Sequence, residues 1–453
     1  MGTFERTAVG SSEGGAGARP NNELPASAKN QPREIFAWCM YDWANSAYST
    51  VYITVLVLYL QGAVLPGDAG LTAWGWGIGI TTLCSAILSP ILGAIADAQA
   101  NKRGWLFLTT LLGSTASALM FFGTPDHPWW FVAMFLIANL NYELVQSFYN
   151  AFLPEIADDR RMSEVSAWGY GAGYVGGGLM LVLSLVIIKF GESWGLSAEN
   201  YLLPRLCLLA MGIWWAVFSL PILLLVRDKA QPRVNRASMV ATAVAGLQDV
   251  KRTLGHIRHY RMLAIFLIGF LIFNDGVMTV ISQASVYAKN QFQMDDQALI
   301  PVFLMIQFVA LPGAIFLGWF ANKIGQKNAL HLCLSVWVLV LISGFMIREV
   351  WQFWIMAAVT ALVMGGTQSV SRTIMGLMTP ESRTGEFFGF FNLSGKAFSM
   401  LGPIMFTEIL KRTGSANWAI LSLLLFFVVG WLIIAPLDIQ RGQRDAREGL
   451  EGA

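Results

Sequence analysis

The chain is a succession of long apolar runs separated by short polar segments. Each run holds about 18–25 residues, enough to cross a hydrocarbon core about 30 Å thick. Because a backbone in lipid must satisfy its own hydrogen bonds, every run is predicted to be a helix. Alternation over about ten residues, which a membrane β-barrel needs, is absent. The twelve predicted spans are residues 35–60, 72–97, 104–123, 129–152, 166–189, 203–226, 262–287, 299–321, 328–347, 351–371, 387–410 and 416–437.

Composition agrees with this pattern. Apolar residues make up 55% of the 453 residues and charged residues only 13%, whereas a soluble domain carries about 25% charged residues. The predicted fold class is therefore an all-α polytopic membrane protein. The four cysteines stand singly in apolar segments, without the spacing of a metal site or disulfide framework. We predict no metal and no cofactor.

Two halves of the sequence repeat one pattern. Gly93 and Gly318 are 225 residues apart, and so are Asp97 and Asn322. Both motifs follow an even-numbered span, and both are followed by basic residues. A second pair of motifs, LPE and TPE, occurs at residues 153–155 and 379–381. Internal repeats of this kind are how many transporters are built, with the substrate path between the halves.

The distribution of basic residues predicts the orientation. Lysine and arginine collect in cytoplasmic loops, and only six of the 30 fall in the odd-numbered loops: Lys189, Arg205, Lys289, Arg348, Lys411 and Arg412. We therefore expect both termini in the cytoplasm and a multi-pass protein of the cell (inner or plasma) membrane. The predicted divisions are a disordered tail (1–33), a six-helix half (34–227), a basic linker with an amphipathic helix (228–261), a second six-helix half (262–437) and a C-terminal tail (438–453).

The loop motif after the second span resembles the signature of the major facilitator superfamily. It comprises Gly93, Asp97, Lys102 and Arg103, and its second copy comprises Gly318, Asn322 and Lys323. The resemblance implies twelve helices in two pseudo-symmetric halves that work by alternating access. It also implies that the motif is a conformational latch between helices. Because Asn322 replaces the aspartate, we expect a weaker latch in the second half.

A narrower resemblance concerns the branch of that superfamily named for a fungal vacuolar amino-acid effluxer. It lies in residues 41–48 (YDWANSAY), 273–277 (FNDGV), 365–372 (GGTQSVSR) and 387–389 (FFG), the last followed by Gly395-Lys396. The resemblance covers roughly residues 34–437. It implies transport of a small solute such as an amino acid, with export favoured.

Polar residues inside the spans are the candidate site. An ionisable group at a helix centre costs about 2.5–3.5 kcal/mol on insertion scales, so each needs a reason. Asn139, Glu143, Gln146 and Asn150 follow helical spacing and form one face of the fourth helix. Glu143 lies roughly 20 Å along the helix from Pro128, too deep to reach the membrane surface. This face either lines a cavity or forms a polar network that holds the bundle together.

Three other spans add candidates. Asp42, near the cytoplasmic edge of the first helix, is as compatible with a structural role, capping or pairing, as with a functional one. Asn274-Asp275-Gly276 in the seventh helix also predicts a local break that would free backbone carbonyls. Arg372 and Lys396 are interpreted either as functional groups or as structural ion-pair partners. The predicted substrate-binding residues are Asn45, Tyr48, Asn139, Glu143, Gln146, Asn274, Asp275, Gln368 and Lys396, and the predicted ion-coupling carboxylates are Glu143, Asp275 and Asp42.

These features favour a secondary transporter over other membrane proteins. No zinc-protease motif and no phosphate-binding loop occurs, so an enzyme or an ATP-driven pump is not expected. A channel fits the repeated halves less well, and a receptor without net flux stays open. The expected partners are a small polar solute, a co-transported or exchanged ion (a proton is favoured) and membrane lipid, with no nucleic acid and a monomeric chain. A sugar and an amphiphile or lipid are the alternative substrates.

Overall fold

The computed structural model describes residues 29–196, 199–229, 239–255, 259–396 and 400–448. Most of the predicted disordered tail, residues 1–28, lies outside these ranges. The described residues form helices and contain no strand. Eleven of the helices in these ranges are long and apolar enough to cross a membrane.

The membrane helices fall into two groups of six, divided by a linker helix. The first half contains α1 (Pro32–Val64), α2 (Asp68–Gln99), α3 (Lys102–Phe122), α4 (Pro128–Ala151), α5 (Met162–Phe190) and α6 (Leu202–Leu225). The second half contains α7 (Arg261–Phe292), α8 (Asp296–Ile324), α9 (Gln326–Met346), α10 (Val350–Leu377), α11 and α12 (Ala416–Ile434). The linker helix is Met239–Gly255, and a C-terminal helix is Ile439–Glu448.

The eleventh predicted span is described as two helical segments, α11a (Thr384–Lys396) and α11b (Leu401–Thr413). Helix α1 differs in another way, because it contains π-helical turns at Tyr52–Leu56 and Leu60–Val64. Such turns are rare and occur often at functional sites. Residues 32 and 33, expected in the tail, already belong to α1, and most of the expected C-terminal tail forms the C-terminal helix.

The break predicted at Asn274-Asp275-Gly276 is wrong, because α7 is one continuous helix. Gly276 serves close packing instead: a Cβ atom there would lie 2.8 Å from the Phe427 ring of α12. The two polar side chains do not disturb their own helix, since both bond to the backbone of α11.

Each half has its own apolar core, and the halves meet mainly along four helix pairs, namely α5–α8, α5–α10, α2–α11a and α4–α11a. Helix α5 packs against α8 and α10, while α11a packs most extensively against α2 of the opposite half. Segment α11b instead packs against α7 and α12 of its own half. Helix α11 is therefore shared between the two halves.

We call the end of the bundle that holds the α2–α3, α4–α5, α8–α9 and α10–α11 loops the even-loop end. Most described hydrogen bonds that join the halves lie toward this end. Lys29, just before α1, bonds Glu381 at 2.5 Å, and Arg447 of the C-terminal helix reaches Asp159 at 3.2 Å. This end is therefore held closed.

Candidate transport site

An ion pair between the halves lies midway along the bundle. Glu143 of α4 pairs with Lys396 of α11a, and their side chains keep 16% and 20% exposure. Asn392, one turn before Lys396, donates to the Glu143 backbone carbonyl and to Ser89 Oγ of α2, each at 2.9 Å. Asn392 thus fixes the Glu143 backbone, and the two paired side chains keep partial exposure although the Lys396 Nζ atom itself is buried.

The polar face of α4 contacts both halves. Asn139 is buried and accepts a hydrogen bond from the Tyr48 hydroxyl at 3.3 Å, within the first half. Asn150 accepts one from Arg372 Nη1 of the second half at 3.2 Å. Gln146 is half-buried between them. The face therefore runs from the first-half core to the boundary between the halves.

The wall beside this face is aromatic and amide-rich. Tyr48 is fully buried and packs against Tyr142, with ring centroids 4.8 Å apart. Asn45 is also buried, and its side-chain Nδ2 has no hydrogen-bond partner among the described residues. Across the boundary, Gln368 of α10 accepts a hydrogen bond from the Tyr174 hydroxyl at 2.6 Å. Tyr48, which was predicted to contact the substrate, is packed within this aromatic wall and does not face open space.

A second charge pair joins the halves nearer the even-loop end. Arg372 Nη1 donates to Asp42 Oδ2 at 3.1 Å, and Nε donates to Ser166 Oγ at 3.0 Å. The guanidinium carbon lies 4.6 Å from the Trp38 ring centroid and 4.0 Å from that of Tyr170. The pair is buried and well bonded, whereas the Glu143 and Lys396 side chains keep partial exposure. It joins α10 to α1 and α5.

Helix α7 holds both segments of α11. The Asn274 side chain donates to the Gly395 carbonyl of α11a at 3.0 Å. Asp275 Oδ2 accepts from the Gly402 amide in the first turn of α11b, also at 3.0 Å. Asp275 is 1% exposed. Within the described ranges, no three His, Cys, Asp or Glu side chains converge as a metal site would require.

The first loop motif forms a buried ionic cluster. Asp97 accepts from the amides of Gly385 and Glu386, at 3.0 and 2.9 Å, at the start of α11a. Lys102 Nζ lies 3.7 Å from Asp97 Oδ1 and pairs with Glu155. A carboxylate at a helix N-terminus is stabilised by the unpaired amides and the helix dipole. Asp97 therefore ties α2 to the opposite half.

The backbones of α2 and α11a are also in close contact around this cluster. A Cβ atom on Gly93 would lie 2.1 Å from the Gly385 carbonyl oxygen, so only glycine allows this approach. The amides of Lys102 and Arg103 donate to Asp228, at 2.8 and 3.1 Å. Burial raises the pKa of Asp228 above its ordinary 3.8.

The second loop motif keeps the close packing but lacks the buried charges. Ser163 Oγ of α5 donates to the Gly318 carbonyl at 3.0 Å. Asn322 and Lys323 are both exposed, and Lys323 Nζ lies 3.9 Å from the Trp319 ring centroid.

Sequence reasoning missed several residues of these clusters. Glu386 receives hydrogen bonds from Arg383 Nε at 2.9 Å and from Thr253 Oγ1 of the linker helix at 2.6 Å. The sequence did indicate Glu155, because it is the last residue of the LPE motif, which is repeated as TPE in the second half. Asn392 had one too, since it lies one turn from Lys396. Thr253 had none, because nothing in a basic linker indicates which face contacts α11a.

Comparisons with known proteins agree with this architecture. The family model described as "Vacuole effluxer Atg22 like" matches residues 76–447. An uncharacterized MFS-type transporter, YxiO of Bacillus subtilis (strain 168), is 29% identical over 424 residues, covering 90% of this chain and 97% of that protein. Autophagy-related protein 22 of Kluyveromyces lactis is 25% identical over 400 residues, covering 81% and 79%.

Solved structures show the same fold at low identity. The proton:xylose symporter XylE superposes with a TM-score of 0.70 at 13% identity, covering 92% of this chain and 98% of that one. The human organic anion transporter MFSD10 gives 0.65 at 13% identity, covering 91% and 100%. The chain thus has the twelve-helix fold of the major facilitator superfamily, and it belongs to the Atg22-like vacuole effluxer family of transporters.

Proposed function

We propose that this transporter exports an amino acid by alternating access, driven by a proton or other ion gradient. The observation that carries the proposal is the Glu143–Lys396 pair, which places one charge of each sign at mid-bundle, on opposite halves. An amino acid carries the same two charges. Its ammonium group would replace Lys396 at Glu143, and its carboxylate would replace Glu143 at Lys396.

Such an exchange of partners suits transport energetically. A buried charge left alone is expensive, so an empty site is stable while its two charges neutralise each other. A zwitterion can separate them without leaving either one unpaired. Because the charges belong to different halves, a substrate between them would bridge the halves. Such bridging would favour a joint movement of the two halves with the substrate bound.

The aromatic and amide groups around the pair would set the rest of the specificity. Gln307 Nε2 donates to Thr50 Oγ1 at 3.0 Å, and Tyr174 bonds Gln368 across the same boundary. These groups also support a sugar as the second candidate. The family description names an effluxer, which favours export over uptake.

We also propose that the even-loop end faces the cytoplasm, since lysine and arginine collect there. The conformation described would then be closed to the cytoplasm by the Asp97 and Arg372 clusters. Opening that end would require both clusters to separate.

Counterflow in proteoliposomes tests the function. Vesicles with purified protein are loaded with unlabelled amino acids and given a labelled mixture outside, with and without a pH gradient. We expect saturable exchange without a gradient and accumulation with one. The matched variants Glu143→Gln and Lys396→Met should lose exchange, whereas Glu408→Gln, an exposed carboxylate on α11b, should not. Absence of amino-acid exchange with folded protein, together with sugar exchange, would replace the proposal with the second candidate.

A further inference from the structure

Asp275 differs from the other intramembrane carboxylates of the described residues because half of its carboxyl group is unpaired. Asp42 pairs with Arg372 and Glu143 with Lys396. Among the described residues, Asp275 has no ion-pair partner. Its Oδ2 accepts the Gly402 amide, and its Oδ1 is buried with no hydrogen-bond partner in the described part of the chain.

The surroundings of Asp275 supply no positive charge. On α7 its neighbours are Asn274 and Thr279, whose hydroxyl donates to the Asp275 backbone carbonyl at 2.7 Å. On α11, Lys396 is engaged by Glu143 on the other half. The ionisable side chains of α11b are Glu408, Lys411 and Arg412, all toward its far end, and Glu408 bonds Arg412. Residues 416–434 of α12 contain no charged side chain, and Arg372 of α10 bonds Asp42.

An ionised carboxylate in this position is unfavourable. Burying a charge without a partner costs far more than burying a neutral polar group with one hydrogen bond. Adding a proton at Oδ1 removes the charge and leaves Oδ2 free to accept the Gly402 amide. The observed geometry therefore suits a carboxylic acid with its proton on Oδ1.

The position of Asp275 connects this proton to the site. Asn274 holds the carbonyl of Gly395, the residue directly before Lys396, and Asp275 holds the first turn of α11b. Loss of the proton creates a carboxylate that attracts the amides at the start of α11b more strongly. Such a change would move α11 against α7 and shift the backbone that carries Lys396.

We propose that Asp275 is the proton-binding residue of the transporter, and that its protonation is transmitted through α11 to the Glu143–Lys396 pair. The coupling part of this inference rests on the proposed function, whereas proton binding at Asp275 does not. Glu143 then serves substrate binding as the ion-pair partner of Lys396.

Infrared difference spectroscopy on the protein in lipid tests proton binding without any substrate. As the pH is raised, the wild type should lose the carbonyl-stretch band of a protonated carboxyl group. Asp275→Asn should lack this band, and Asp275→Glu should show it at a shifted frequency. Glu408→Gln is the control and should resemble the wild type. An unchanged band in Asp275→Asn would overturn the proposal.

Transport assays on the same preparations test the coupling. An asparagine copies the shape of the neutral acid, so Asp275→Asn should lose gradient-driven accumulation, whereas its counterflow without a gradient should fall by a much smaller factor. Asp275→Glu should accumulate substrate with a shifted pH profile, and it decides the question if the asparagine variant does not fold. Accumulation by Asp275→Asn at the wild-type level would refute coupling. Band loss in Asp275→Asn, with no amino-acid exchange by the wild type, would refute the proposed function but not the proton site.

Discussion

The two copies of the loop motif show how one repeated sequence serves two different mechanical roles. In both halves a glycine lets a helix approach the opposite half: Gly93 of α2 meets α11a, and Gly318 of α8 meets α5. Only the first copy adds charge, because Asp97 binds the start of α11a and Lys102. In the second copy Asn322 is exposed. The comparison teaches that packing is common to the halves, whereas the ionic lock belongs to one of them.

The largest effect is expected from removing the buried lysine of that lock. Lys102→Met removes the cation that pairs with Glu155 and lies beside Asp97, and breaking a buried pair in this way costs about 3–5 kcal/mol. Lys323→Met in the second copy removes only an exposed cation above Trp319, worth about 0.5–1 kcal/mol. Thermal unfolding in detergent should show a large decrease in melting temperature for the first variant only. Equal decreases would contradict the comparison.

The next largest effect is expected on the population of the closed conformation. Asp97→Asn weakens two hydrogen bonds to the start of α11a, and bonds to charged groups contribute about 1.5–3 kcal/mol. The open population at the even-loop end should rise about 10- to 100-fold. Spin labels at the exposed positions Asn101 and Asn328 would report longer distances. Asn322→Ala is the control, and a shift of the same size there would contradict the ionic lock.

The glycines should behave alike in the two halves. A Cβ atom on Gly93 would lie 2.1 Å from the Gly385 carbonyl oxygen, and one on Gly318 would lie 2.4 Å from the Ala167 Cβ. Gly93→Ala and Gly318→Ala should each destabilise the closed state by about 1–3 kcal/mol, since overpacking has this cost. The distance between spin labels at Asn101 and Asn328 measures this destabilisation. A strong effect in only one half would show that packing is not shared.

The smallest effect is a pH dependence at the start of α3, the helix that follows the first copy of the motif. Asp228 holds the amides at the start of α3, and burial raises its pKa. The folded state therefore binds more protons than the unfolded state just above pH 4, and stability should fall as pH rises through that window. Asp228→Asn should flatten this slope. Helix α9, the corresponding helix of the second half, begins without a side-chain cap and therefore has no carboxylate in the place of Asp228. An unchanged slope in Asp228→Asn would exclude Asp228 as the source of the pH dependence.

Sequence patterns predicted much of the fold because lipid imposes length and periodicity on each helix. The equal offsets of Gly93–Gly318 and Asp97–Asn322 predicted two related halves. The spacing of the α4 residues predicted one polar face. Spacing within a helix does not reveal the partner on another helix, so the Lys396–Glu143 and Arg372–Asp42 pairs required the structure. The α7 break was mispredicted because glycine signals close packing as well as helix disruption.

The central claim is that the Glu143–Lys396 pair receives both charges of a zwitterion. Competition against labelled amino-acid counterflow tests it most directly, with the intact amino acid, its decarboxylated amine and its N-acetyl derivative as competitors. The account predicts strong competition by the intact amino acid and at least tenfold weaker competition by either derivative, since each leaves one buried charge unpaired. Equal competition by all three would contradict it.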